Sequence, residues 1–153
     1  MSASASFVKS LLAQCCLGGI CEWVVCPGAR NMALLQVLAA AEDLVKWTHF
    51  DERSAAFFAL GRIQDMGLPV AVVTTSGTAA AELLPAVVEA YYERRPLLLL
   101  TADRPADYRG SAAPQAIEQA DLFGIYAPTI DLETPDSLPE DILEDWDLSL
   151  IHI

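Results

Sequence analysis

Three short, uninterrupted apolar runs constrain this chain more than any other feature. They are residues 22–26 (EWVVC), 69–75 (PVAVVTT) and 96–101 (PLLLLT), each closed by small or polar residues. A strand with one face in water alternates apolar and polar side chains, whereas a strand covered on both faces has no need to. Between these runs lie stretches at helical spacing. Phe7, Leu11, Leu12 and Cys15 fit one face of a helix over about 4–17, stopped by Gly18 and Gly19. Further helices are predicted over about 30–42, over 52–66 with Gly67 as the stop, and from Thr78 to about Tyr92. Residues 44–50 form a fourth strand candidate. The alternation predicts an α/β fold of three layers, α/β/α, with a mostly parallel sheet and right-handed crossovers.

Charge divides the chain unevenly. The net charge is −12 over 153 residues, yet residues 131–153 hold eight acids and no Lys or Arg. The remainder carries thirteen acids against nine bases, a mildly acidic domain. No basic patch exists to neutralise phosphates, so nucleic-acid binding is not expected. Charges interrupt every apolar run well short of the ~20 residues of a membrane span. The N-terminal stretch carries Lys9 inside its apolar pattern, which fits an amphipathic helix rather than a signal peptide, and the protein reads as cytoplasmic. After Phe123 periodicity is lost. Pro128, Pro135 and Pro139 among acids read as a linker over 128–153, with a short helical turn over 138–143. The end, DLSLIHI, stops on an apolar stretch without a capping signal and resembles an interrupted chain.

In a parallel sheet the loops after each strand share one edge, where open α/β sheets bind ligands. Here those loops hold nearly all the unusual residues. Asp51, Glu52 and Arg53 open the third helix, and Glu52 is the first candidate for chemistry. Two readings fit it: a solvated helix-start acid favoured by the dipole, or a carboxylate partly buried beside Phe50, Phe57 and Phe58 and suited to proton exchange. Thr75, Ser76, Gly77 and Thr78 offer amides and hydroxyls to a polar ligand, and ordinary helix capping explains them equally well. Pro27, Gly28, Ala29 and Arg30 form the first loop, and Arg104 follows the last strand. Two guanidinium groups at one surface suit a substrate with several carboxylates. Gln115 is a polar group with no signal of its own.

Metal-ligand spacing is missing. His49 and Glu52 lack the H-E-x-x-H pattern, and Cys15, Cys16, Cys21 and Cys26 match no common zinc spacing, so they read as reduced thiols packed as small apolar residues. Ser76 lies in T-S-G-T with no His placed to serve it, so acyl-transfer chemistry is not expected.

Five motifs, VVCPGARN, THFDERSAAFFALG, PVAVVTTSGTAAAELLPAVVEAYY, PLLLLTADRPAD and APQAIEQADLFG, resemble in order and spacing the N-terminal domain of the 2-succinyl-5-enolpyruvyl-6-hydroxy-3-cyclohexene-1-carboxylate synthases. These are thiamine-diphosphate enzymes of menaquinone biosynthesis, and the resemblance runs from about Phe7 to Tyr126. It implies a pyrimidine-binding domain over 1–127 and a non-family tail over 128–153. It also implies decarboxylation of 2-oxoglutarate and addition of the product to isochorismate, with Mg2+ or Mn2+ anchoring the cofactor's diphosphate. Glu52 would be the cofactor-activating glutamate. Pro27, Gly28, Thr75, Ser76, Gly77 and Thr78 would line the cofactor, and Arg30, Arg104 and Gln115 would meet substrate carboxylates. Full-length members are homodimers or homotetramers with sites between subunits.

Two departures from the family stand out. Ala29 replaces the serine usual before the first-loop arginine, and the G-D-G…N motif that carries metal and diphosphate does not occur. The expectation is therefore a synthase fragment, inactive alone. The alternatives are a non-catalytic subunit completed by a separate diphosphate-binding polypeptide, and a domain that kept the fold and lost the cofactor.

Overall fold

In the computed structural model, residues 3–132 and 150–152 are described. Six strands, β1 (Glu22–Val25), β2 (Val45–Thr48), β3 (Val70–Thr74), β4 (Leu97–Thr101), β5 (Thr129–Asp131) and β6 (Leu150–His152), form one sheet in the order β2-β1-β3-β4-β6-β5. Every pairing is parallel, with Val24 opposite Trp47 on one side and Val72 on the other, and Val73 opposite Leu100. Among the described residues the helices are α1 (Ala3–Leu17), α2 (Met32–Ala40), α3 (Glu52–Met66), α4 (Thr78–Ala81) and α5 (Leu84–Glu93).

The two-residue period of the strands divides their side chains between two cores. Val24, Val70, Val72, Leu97 and Leu99 face α3 and α5, where Ala56, Ala59, Ile63, Ala86 and Val87 close over them. Trp23, Val25, Ala71, Val73, Leu98 and Leu100 face α1 and α2, meeting Leu11, Cys15, Leu34 and Leu38. This is the expected three-layer α/β/α arrangement, and the continuous apolar runs of β1, β3 and β4 are buried throughout. Strand β2 departs from that pattern: it forms one edge of the sheet and all four of its residues are exposed. A buried interaction ties this edge down. Glu22 accepts hydrogen bonds from Arg62 at 2.7 and 2.9 Å and from the Trp47 indole at 3.0 Å, joining β1, β2 and α3.

Local chemistry explains the element ends. Asp51 caps α3 by accepting the Ser54 N–H at 2.7 Å, and Gly67 closes the helix in the left-handed conformation. Gly19 does the same for α1 at φ +91°, with the Ile20 N–H reaching Cys15 O. The single helix expected from Thr78 to Tyr92 is two. Pro85, in the first turn of α5, has no N–H and its ring would crowd the carbonyl four residues back, so the chain turns at Glu82 and Leu83. The segment read as a linker contributes β5, paired with β6 beyond β4. The helical turn expected over 138–143 lies outside the described residues. No described helix is long and apolar enough to cross a membrane.

Candidate functional site

Because all strands run parallel, the loops after β1, β2, β3 and β4 gather at one sheet edge. From β1 the chain moves outward to β2, whereas from β3 it moves the other way to β4. The crevice between the ends of β1 and β3 is therefore the switch point at which such sheets take ligands. Its walls nearly touch. A Cβ added to Gly28 would stand 2.6 Å from Thr75 Cβ, so only glycine permits this approach. Asn31, 1% exposed, braces the first loop by accepting the Gly28 N–H and donating to Cys26 O, each at 2.9 Å. Thr75 is buried and its hydroxyl oxygen has no hydrogen-bond partner. A buried hydroxyl left unpaired costs free energy, which a polar ligand in the crevice would recover.

Glu52 stands half-buried in the first turn of α3, at the same edge. The cap of that helix is Asp51, whose carboxyl is held below its ordinary range chiefly by hydrogen bonding to Ser54. Glu52 is therefore not the cap, and it stands in the first turn as an acid the helix dipole favours. Its charge reaches the end of β1. Burial first, then Glu52 and Asp51, push the Cys26 thiol up to about 12. The apolar surround expected from three phenylalanines is only partly present. Phe50 is 96% exposed and Phe57 is exposed, while Phe58 packs on Trp47 and on the His49 ring at 4.7 Å.

The far wall is built from the segment after β4. Arg104 donates through one guanidinium nitrogen to Pro114 O at 2.6 Å, and the group lies 5.3 Å from the centre of the Tyr108 ring. Its buried Nε has no partner. Asp103 accepts the Arg104 N–H and pairs with Arg109, which also bridges to Asp131 at 2.8 Å. Gln115 is exposed and held at φ +58°, in the left-handed region that a non-glycine residue seldom adopts. Its carbonyl accepts the Ser76 hydroxyl at 2.9 Å, and its Cα lies 2.9 Å from where a Gly77 Cβ would stand.

The structure thus joins Gly28 to Thr75, and Ser76 and Gly77 to Gln115, with Arg104 holding the Pro114 that precedes it. Pro27 and Arg30 are exposed on the first loop, and Thr78 is exposed at the start of α4. Two residues the sequence reading did not single out hold the edge together: Asn31 and the buried Gln119. Neither has a motif of its own. The signal available was position, one polar residue at each loop's return into the fold.

Cys15 and Cys26 lie in cores on opposite faces of the sheet, so the four cysteines do not converge. Burial pushes the Cys15 thiol up to about 12.

A parallel α/β/α domain with glycine at its switch point and a carboxylate on the adjoining helix has the layout of a cofactor-binding α/β domain. The profile of the thiamine pyrophosphate enzyme N-terminal TPP binding domain matches residues 7–122, and the chain belongs to that family. It is 92% identical over its whole length to a 2-succinyl-5-enolpyruvyl-6-hydroxy-3-cyclohexene-1-carboxylate synthase of Akkermansia muciniphila, covering 29% of that protein. Proteins of the same name from Bdellovibrio bacteriovorus and Geobacillus thermodenitrificans are each 51% identical, over 78% and 86% of this chain and 23% and 22% of their own lengths. The chain spans less than a third of the length of these curated relatives.

Proposed function

We propose that this chain forms the pyrimidine-binding half of the site of a thiamine-diphosphate-dependent transferase, one that decarboxylates 2-oxoglutarate and joins the product to isochorismate in menaquinone biosynthesis. The observation that carries the reading is the half-buried, cap-free Glu52 beside the Gly28–Thr75 crevice, in a chain so nearly identical to a protein of that name. The residues present fit the pyrimidine end of the cofactor. Gly28 lets the first loop pack directly on Thr75, so that polar groups of both loops border one edge, and Glu52 supplies a carboxylate there. When bound, thiamine diphosphate supplies the electron sink for loss of carbon dioxide from a 2-oxo acid.

The chain's own part is protonation control and substrate capture. Glu52 would face the aminopyrimidine end of the cofactor and hold and exchange a proton at its carboxylate oxygen there. Pro27, Gly28, Thr75, Ser76, Gly77 and Thr78 shape the cleft. Arg30, Arg104 and Gln115 bind carboxylates of substrate; the partnerless Arg104 Nε and the strained Gln115 backbone support those roles. Among the described residues no group of three His, Cys, Asp or Glu gathers to hold a metal ion. Mg2+ or Mn2+ and the diphosphate are assigned to a part of the enzyme outside this chain, met across a homodimeric or homotetrameric interface in the cytoplasm.

The test is Glu52→Gln in a full-length synthase carrying this domain. Turnover is expected to fall about 100-fold or more, in the range typical of a lost general acid–base group. Exchange of the cofactor's C2 hydrogen should slow with it, while the thermal midpoint stays unchanged. Wild-type turnover in that variant would remove Glu52 from this role.

A further inference from the structure

Gln119 is 0% exposed, and both ends of its amide are used. Its Oε1 accepts the Gly77 N–H at 2.6 Å and its Nε2 donates to Ala102 O at 3.1 Å. Only one orientation of the amide serves both partners, because an acceptor must face the N–H and a donor the C=O. Gly77 follows the loop after β3, and Ala102 follows β4. One side chain therefore clasps the ends of two neighbouring strands at the ligand edge.

The backbone that carries Gln119 also carries Gln115, four residues earlier, in its left-handed conformation. That conformation survives only because the surroundings determine it. Gly77 lies against Gln115 Cα with no room for a side chain, Ser76 donates to Gln115 O, and Arg104 donates to Pro114 O. These contacts require the Ser76–Gly77 turn, the β4 end and segment 114–119 to stay in fixed register. Gln119 is the buried group that bonds to both strand ends at once.

We propose that Gln119 is a positioning residue for substrate binding, fixing through Gly77 and Ala102 the register in which Gln115 and Arg104 meet a substrate carboxylate. The inference rests on the cofactor-domain reading above. Gln119 touches neither cofactor nor substrate in this scheme. Its effect travels through the placement of the groups that do, and misplacement on the ångström scale is enough to weaken a bound-state geometry.

The experiment uses a full-length synthase carrying this domain, with Gln119→Met, which removes both hydrogen bonds at similar volume, and Gln119→Glu, which keeps the acceptor toward Gly77 and loses the donor toward Ala102. For Gln119→Met the KM for 2-oxoglutarate or for isochorismate is expected to rise about tenfold or more, with kcat changing far less, the signature of lost ground-state and transition-state binding together. Gln119→Glu is expected to show a smaller rise in the same KM. Exchange of the cofactor's C2 hydrogen, which reads Glu52 rather than substrate capture, should stay within about threefold. Unchanged KM values beside a lowered thermal midpoint would overturn the proposal, as would equal losses in KM and C2 exchange, or failure of both variants to fold. Glu52→Gln in the same background separates the two claims. If it leaves C2 exchange intact, the cofactor reading fails. If it abolishes exchange while both Gln119 variants keep wild-type KM, the positioning claim fails alone.

Discussion

Gly28 and Thr75 meet so closely that a single methyl group decides whether the crevice exists. Gly28→Ala would place its Cβ 2.6 Å from Thr75 Cβ, a distance at which one loop must move. Overpacking of this kind costs about 1–3 kcal/mol. Urea denaturation of the chain is expected to show a loss of that size. Thr75→Ala leaves Cβ in place and is expected to restore nothing, whereas Thr75→Gly opens the space. Strictly additive losses in the Gly28→Ala/Thr75→Gly double variant would mean that the two residues do not meet. The thiols supply a second residue-scale test. Cys21 is exposed, whereas Cys15 and Cys26 are buried with thiols pushed up to about 12. A thiol reagent at neutral pH is expected to label Cys21 rapidly and to reach Cys15 and Cys26 only on unfolding, since the thiolate is the reactive form. Rapid labelling of Cys26 in the native chain would contradict its burial. At this scale residue type and place located Glu52 and Arg104 after the strand ends, and the structure puts both at the ligand edge. The sequence was not readable for Gln119, which bonds to Gly77 far along the chain, nor for Asn31, whose bonds to Gly28 and Cys26 are local but follow no motif.

At the scale of elements, legibility followed the strength of local signals. Helix α3 carries a cap, a helix-forming run and a glycine stop, and its bounds are those the pattern predicts. The break between α4 and α5 was missed because the apolar spacing continues smoothly across it while Pro85 alone forbids a continuous helix. Strand β5 was missed for a different reason: three half-buried residues between a proline and a run of acids carry too little period to register. Edge strand β2 was legible as a strand but its exposure was not: Val45 and Trp47 are exposed, and the Trp47 indole is held by Glu22, which also pairs with Arg62. That ion pair gives the element-scale prediction. Hydrogen bonding to Arg62, first among the causes, holds the Glu22 carboxyl below its ordinary value despite burial. A carboxylate depressed on folding contributes stability that is complete above its unfolded pKa, about 4.3, and that is lost as pH falls through the folded value. The chain should therefore lose stability on acidification below that range, and Glu22→Gln should have a lower thermal midpoint at neutral pH together with a flatter acid limb. Parallel pH profiles for the two proteins would show that Glu22 is not the group responsible.

At the scale of the whole molecule, closed cores stand beside an open ligand edge. Both faces of the sheet are covered and two cores are closed, so the fold has what it needs within the described residues. The ligand edge does not. Phe50, two residues before Glu52, stands 96% exposed, a large apolar side chain left facing water at the same edge. The chain covers only 29% of its 92% identical relative, and the function proposed above has a further surface laid over Phe50. The isolated chain, given thiamine diphosphate, Mg2+, 2-oxoglutarate and isochorismate, is accordingly expected to release no carbon dioxide above background, and a full-length synthase carrying the same domain is expected to turn over. Phe50→Ser sharpens the point. The side chain adds nothing to the cores of this domain, so the isolated variant should keep its thermal midpoint. In the full-length protein the same change should cut turnover several-fold by letting water reach Glu52. If turnover there is unaffected, Phe50 stays in solvent in the assembled enzyme and some other group must desolvate the glutamate. Turnover by the isolated chain would show instead that this edge is a complete active site on its own.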